Sequence, residues 1–138
     1  MVIHVDTDVL LDVLAAREPF CQQSARVWGL AESGRITGVI SAISYNNCFY
    51  VVRKYGGRAK AFEAISALRD VFQPVDLTAQ ILNQAMDAGL ADFEDAIQYF
   101  SALHVAAEVL VTRNPDDFPR VGPAVLTSTE FLTTRSIP

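Results

Sequence analysis

Met1-Val2-Ile3-His4-Val5-Asp6-Thr7-Asp8-Val9-Leu10-Leu11-Asp12 is the stretch from which the fold is read. The apolar run at residues 2–5 has the make-up of a buried strand, and it ends on a carboxylate, Asp6. A second carboxylate, Asp8, follows two residues on. Val9, Leu10 and Leu11 then carry the chain into a predicted helix that Asp8 is placed to cap. In open α/β sheets the carboxyl edge of the strands is where ligand crevices form, so Asp6 is a functional candidate. Two carboxylates this close repel unless a cation or a proton relieves them.

The rest of the chain is bounded by its size and charge. At 138 residues, it is expected to form one domain, residues 1–138. It is 51% hydrophobic and 20% charged, with no apolar run near the roughly 18 residues of a membrane span and no secretory leader at its start. A soluble cytoplasmic protein is the expectation. Cys21 and Cys48 have no CxxC spacing and are expected to be buried, inert thiols. The net charge of −5 argues against affinity drawn from a basic surface laid along a nucleic-acid backbone. It leaves room for a nucleic-acid enzyme whose acids are gathered around a metal.

Working outward, the pattern alternates short strands with helices. Helical spacing recurs over residues 20–33, 42–55, 58–71, 78–88 and 92–107, with glycines at 34, 56–57 and 89 supplying stops. Short apolar runs at residues 36–40, 72–75, 109–111 and 124–126 read as strands. Pro74 confines the 72–75 run to a sheet edge or a strand end. Ser128 is placed to cap a last helical turn. This predicts an α/β fold, a mostly parallel sheet wrapped by helices on both faces as a three-layer α/β/α sandwich.

Polar groups collect where those strands end: Asp6 after the first, Ser41 after the second, and residues 112–117 after the run at Val109. Asp92, Glu94 and Asp95 open the helix that feeds that last strand. Asp92 and Asp95, three apart, share a face, and Glu94 is predicted to point elsewhere. Acids in a first helical turn also offset the helix dipole, which is their ordinary explanation. Asp6, Asp95, Asp117 and Asp92 are nevertheless predicted to converge on one sheet edge. Converging carboxylates suit a hard divalent cation, Mg²⁺ or Mn²⁺, and such a metal suits phosphodiester hydrolysis.

These motifs resemble the PIN domain family, close to the VapC-type ribonuclease toxins. The matching segments are the opening Val5-Asp6-Thr7 through Asp12, then Ile40-Ser41-Ala42-Ile43-Ser44, then Asp92-Phe93-Glu94-Asp95-Ala96, then Val111-Thr112-Arg113-Asn114-Pro115-Asp116-Asp117-Phe118. The resemblance implies a metal-dependent endoribonuclease with Asp6 as the central ligand and Asp95 as the second carboxylate. Asp117, with Asn114 as the alternative, would complete the site, and Thr112 would hydrogen-bond an acid or a phosphate. RNA is the implied substrate and a small antitoxin the implied partner. Two positions depart from the family pattern. Asp8 stands where Asn is usual, and Asn47 stands where a Glu is usual, which lowers the charge of the site. Asp92 or Asp8 is available to supply that charge. The alternative reading is a PIN-like module that binds RNA or protein without cutting.

The remaining residues have structural explanations. His4 lies within the first strand, where a buried histidine satisfied by a neighbour is expected. His104 has no relay partner nearby in sequence. Trp28, Phe49 and Tyr50 read as core or subunit interface. Arg53, Lys54, Arg58 and Lys60 form either an RNA-facing rim or a solvated helix end. The apolar helices over residues 42–71 predict a homodimer. A dehalogenase-type phosphotransferase, which also opens on Asp-x-Asp, needs a Thr or Gly soon after the second acid and a downstream Lys. Here Val9 and Leu10 follow Asp8, and the lysines are only Lys54 and Lys60.

Overall fold

β1 (Val2–Val5) forms the centre of the sheet, which is why Ile3, His4 and Val5, pointing to alternate faces, are all buried. A computed structural model describes residues 1–137. β2 (Thr37–Ser41) and β3 (Gln73–Val75) extend the sheet on one side, and β4 (Val109–Val111) and β5 (Ala124–Leu126) extend it on the other. The order is β3-β2-β1-β4-β5 and every pairing is parallel. β3 lies at an edge, where the missing N–H of Pro74 costs no ladder bond.

Among the described residues seven α-helices cover the two faces: α1 (Thr7–Leu14), α2 (Cys21–Glu32), α3 (Ala42–Gly56), α4 (Arg58–Val71), α5 (Ala79–Asp87), α6 (Phe93–His104) and α7 (Ser128–Thr134). Ile3, Val5, Val109 and Val111 face the layer that holds α1, α2, α4 and α7, where Leu10, Val27, Leu68 and Phe131 are fully buried. Val39, Leu110 and Val125 face the opposite layer, built on α5 and α6 through Ile81, Ala85 and Ile97. The result is the three-layer α/β/α sandwich. Within it Gly38 on β2 makes room for the Phe72 ring: a Cβ there would lie 2.6 Å from Cδ1.

Local boundaries differ from the sequence expectation in three places. Asp6, not Asp8, caps α1, because its extended backbone lets its own carboxylate accept from Thr7 N. Thr127, not Ser128, caps α7, and Glu130 completes a capping box with it. α6 stops at His104 rather than running to Ala107. Ala106 takes a left-handed φ of 52° and Ala107 N–H reaches back to Ala102 O at 3.0 Å, a Schellman closure.

The topology fixes the site. From β1 the chain steps outward to β2 and β3, then returns to β4 on the other flank, so the order reverses at β1. A crevice opens at the carboxyl ends of strands on either side of such a switch point. Asp6 follows β1 directly and Thr112 follows β4 directly.

Candidate functional site

Asp6 is buried, with 4% of its surface exposed, and both its carboxylate oxygens are held. Oδ1 accepts from Thr7 N and Oδ2 accepts from the Thr112 hydroxyl, each at 2.8 Å. The second contact exists because β1 and β4 are neighbours in register, Val5 opposite Val111. Asp6 N donates to Val111 O at 2.9 Å and ties the two strand ends together. One extended residue beyond each strand therefore brings Asp6 and Thr112 side by side.

The first turn of α6 supplies the other acids. Asp92 caps that helix, its Oδ1 accepting from Asp95 N at 2.9 Å, and is exposed. Asp95 and Glu94 are partly buried. Among the described residues no cation pairs with any of this group, and the charge balance registers it. Burial pushes the Asp6 carboxyl up to about 7; Thr112 opposes the rise, while Asp8, Asp95 and Glu94 add to it. Burial likewise pushes Asp95 up to about 6, with Asp92, Asp117, Glu94 and Asp8 adding. Glu94 is raised by burial, lowered by its hydrogen bond from Asn47, and raised again by Asp8 and Asp92. Each acid makes its neighbours harder to ionise, so the cluster holds a charge deficit that a proton or a cation can fill.

Glu94 is the residue that sequence reasoning misplaced. It does not point away from the site: its carboxylate accepts from Asn47 Nδ2 across the gap between α6 and α3. Helical spacing correctly puts it off the Asp92–Asp95 face, and from there Glu94 turns toward α1 and α3. With Thr7, Asp8, Asn46 and Tyr50, it lines an open cavity of about 300 Å³. Asn47 is thus a donor to an acid in this structure. Glu94, from the opposite helix, sets a carboxylate directly against the amide at position 47.

Beneath the acids lies a buried polar chain. His4 Nε2 stands 2.6 Å from Gln98 Oε1, and Gln98 Nε2 donates to Thr7 Oγ1 at 3.2 Å and Ser44 Oγ at 3.1 Å. Because the Gln98 amide nitrogen is spent on hydroxyls, its oxygen accepts, so His4 carries its proton on Nε2. Burial pushes His4 down to about 4 and keeps it neutral. Its Nδ1 has no partner among the described residues. Thr7 and Ser44 hydroxyls lie 2.8 Å apart. The residue next to Asp6 is therefore anchored to α3 and α6 at once. His4 is a satisfied core histidine on one nitrogen, and Gln98 is a partner that no sequence motif signalled.

A PIN domain model matches residues 2–116, which covers both strand ends and the whole acidic turn. The chain belongs to the PIN domain family. Solved structures share its fold at low identity. The DNA-bound VapBC of Salmonella typhimurium is 17% identical, with 93% of this chain and 98% of that chain covered and a TM-score of 0.72. VapBC-1 of nontypeable Haemophilus influenzae is 20% identical, with 94% and 99% covered and a TM-score of 0.68. Mycobacterium tuberculosis VapC20, a toxin that cleaves the sarcin-ricin loop, is 18% identical, with 78% and 86% covered and a TM-score of 0.66. No curated protein is significantly similar in sequence.

The acids of this PIN domain stand as an open array. Among the described residues, no three His, Cys, Asp or Glu side chains stand close enough to enclose one ion. Asp117 lies exposed in the short 3₁₀ turn Pro115–Asp117, and Asn114 is exposed before it. Asn114 N–H donates to Thr112 Oγ1 at 3.3 Å, so the loop braces the hydroxyl that holds Asp6. The donor chemistry nevertheless fits a hard cation that keeps part of its water shell, since Mg²⁺ is commonly held by one or two carboxylates. Asp6 and Asp95 are the two whose protonation is most perturbed, and both offer only oxygen.

Elsewhere the expectations sort by burial. Cys48 is buried, its thiol pushed up to about 12 by desolvation, but Cys21 is only partly covered. Trp28 packs edge-on against Phe72 in the core. Among the described residues no helix is long and apolar enough to cross a membrane.

Proposed function

We propose that this PIN domain is a metal-dependent endoribonuclease that hydrolyses RNA phosphodiesters at a Mg²⁺ or Mn²⁺ site, and that it is the toxin of a toxin–antitoxin pair. The observation that carries the reading is the uncompensated acid cluster: Asp6 pushed up to about 7 and Asp95 up to about 6 at the switch point of the sheet. Asp6 and Asp95 would hold the metal, with Asp117, Asp92 and Asn114 on the rim. The metal, when bound, lowers the pKa of a coordinated water and neutralises phosphate charge. Thr112 and the Thr7 amide fix both oxygens of Asp6, so the carboxylate enters the site pre-oriented. Asn47 steadies Glu94 beside the cavity that Asp8 also lines.

An antitoxin partner is supported by the VapBC complexes with which the fold is shared. A homodimer is supported by the aromatic groups that α3 and α4 leave exposed, Tyr50, Tyr55 and Phe62. The second reading, a PIN module that binds without cutting, is favoured by Asn47 in the glutamate's place and by the open array of acids. Calorimetry with Mn²⁺, paired with cleavage of a mixed RNA panel, separates the two. The nuclease reading expects heat and cleavage with the wild type and neither with Asp6→Asn. Silence in both assays for the wild type overturns it.

A further inference from the structure

A second cavity of about 300 Å³, separate from the acid cluster, is lined by residues at the end of β4 and the starts of α2 and α7. Thr112 joins the two places: its hydroxyl binds Asp6, and its side chain lines this pocket together with the next residue, Arg113. We propose that the pocket is a nucleobase subsite, holding a base of the RNA strand whose phosphate lies at Asp6. The proposal rests on the nuclease reading and names how that site would recognise its substrate.

The wall is built for a flat neutral ring. The Arg113 guanidinium lies 4.3 Å from the centroid of the Phe20 ring, and Phe20 remains 42% exposed. Arginine planes and aromatic rings are the surfaces on which unpaired bases stack. A phosphate is disfavoured at the same place. Arg113 spends Nε and Nη2 on Asp12, whose carboxylate is fully buried, so the pair brings no net positive charge to the cavity. Two donors remain for the edge of a base. Among the described residues Arg113 Nη1 has no partner, and Gln23 accepts from Arg26 through Oε1, which leaves its amide N–H groups free. Ser24 and Ser128, 3.1 Å apart, close the floor.

The whole-chain charge adds a reason. At −5, with acids around the cleavage position, the protein gains little from the phosphate backbone. Affinity for a single strand then has to come from stacking and base edges.

The test is an NMR titration of the full chain, without metal, using adenosine, guanosine, cytidine, uridine and inorganic phosphate separately. At least one nucleoside at low-millimolar concentration is expected to shift the amides of Ser24, Arg113 and Ser128, while phosphate leaves them unmoved. Phe20→Ala, at an exposed position, is expected to weaken that binding by about tenfold; Gln23→Ala is expected to change which nucleoside binds best. Phosphate moving these amides while every nucleoside fails overturns the proposal in favour of an anion site. No shift with any probe overturns it outright. A wild type that binds Mn²⁺ and cuts RNA but binds no nucleoside removes the subsite and keeps the nuclease. Nucleoside binding without metal binding or cleavage does the reverse.

Discussion

Asp6 and Asp12 stand at the two ends of one short stretch, the cap of α1 and a point on its buried face, and both are sealed from water. Their partners differ. Asp12 meets a guanidinium: Arg113 reaches it from the loop after β4 with two nitrogens, and Ser24 adds a hydroxyl at 3.5 Å. Asp6 meets only a backbone amide and a threonine hydroxyl; Asp8, Asp95 and Glu94 raise its carboxyl, and the nearby Arg113 feels its charge but is bonded to Asp12 instead. A buried carboxylate with its cation built in is part of the fold. One without a bonded cation is the group for which a ligand from outside is proposed, and that contrast supports the proposed site better than the number of acids does.

The largest expected effect comes from making Asp12 resemble Asp6. Arg113→Ala leaves a fully buried carboxylate without its cation and should cost about 3–5 kcal/mol in denaturant unfolding. The double change Asp12→Leu, Arg113→Met should cost much less, because it removes both charges. A single Arg113→Ala as stable as wild type would show that Asp12 is solvated and that the contrast with Asp6 is false.

Making Asp6 resemble a neutral core residue comes next. With the Asp6 carboxyl raised to about 7 from an ordinary 3.8, the folded state binds the proton more tightly than the unfolded state. Between those values Asp6 binds its proton more in the native state than in the unfolded one, so its own contribution to stability falls as pH rises from about 4 to about 7 and then levels; Asp95 adds to the fall, and His4, held neutral down to about 4, opposes it. The difference between wild-type and Asp6→Asn metal-free melts should trace the Asp6 part, a few kcal/mol at most. Asp6→Asn should remove that part and raise the melting temperature at neutral pH. Mn²⁺ should restore the wild type there and leave the variant unchanged. A difference between wild type and Asp6→Asn that does not change with pH would mean that Asp6 stays ionised at no cost.

The polar chain under the site tests whether Asp6 owes its position to its neighbours. Gln98→Leu strands His4 Nε2 and strips a donor from Thr7 and Ser44, so about 1–3 kcal/mol should be lost in unfolding. Gln98→Glu should recover part of that loss, since it keeps an acceptor for His4.

How much of this could be read from sequence follows from the distance over which each signal acts. β1, the parallel sheet and the edge position of Pro74 were legible because strand length, apolar content and the missing N–H are local facts. The pairing of Asp6 with Thr112 was half legible: each stood at a strand end, and only the strand order put those ends together. Glu94 was misread because a helical wheel gives its angle from Asp92 and Asp95 but not which neighbour that angle faces. The Asp12–Arg113 pair spans 101 residues and Gln98 reaches His4 across 94, and no spacing rule links such positions.

The smallest effect bears on the departure at position 47. If Glu94 supplies the charge that a glutamate at 47 would bring, Glu94→Gln should weaken Mn²⁺ binding by about tenfold, the low end for groups that support a metal site. Asn47→Glu alone sets two carboxylates against each other across the α3–α6 gap and should lower metal-free stability at neutral pH. The exchange Asn47→Glu, Glu94→Gln keeps one acid and one amide donor with their helices swapped. Its Mn²⁺ affinity should recover most of the loss, because residues in contact compensate one another rather than adding. If the exchange stays as weak as Glu94→Gln, the position of the carboxylate on α6 matters as well as its charge. If Glu94→Gln alone changes nothing, Glu94 serves only the dipole of α6, and the site must draw its charge from Asp6 and Asp95.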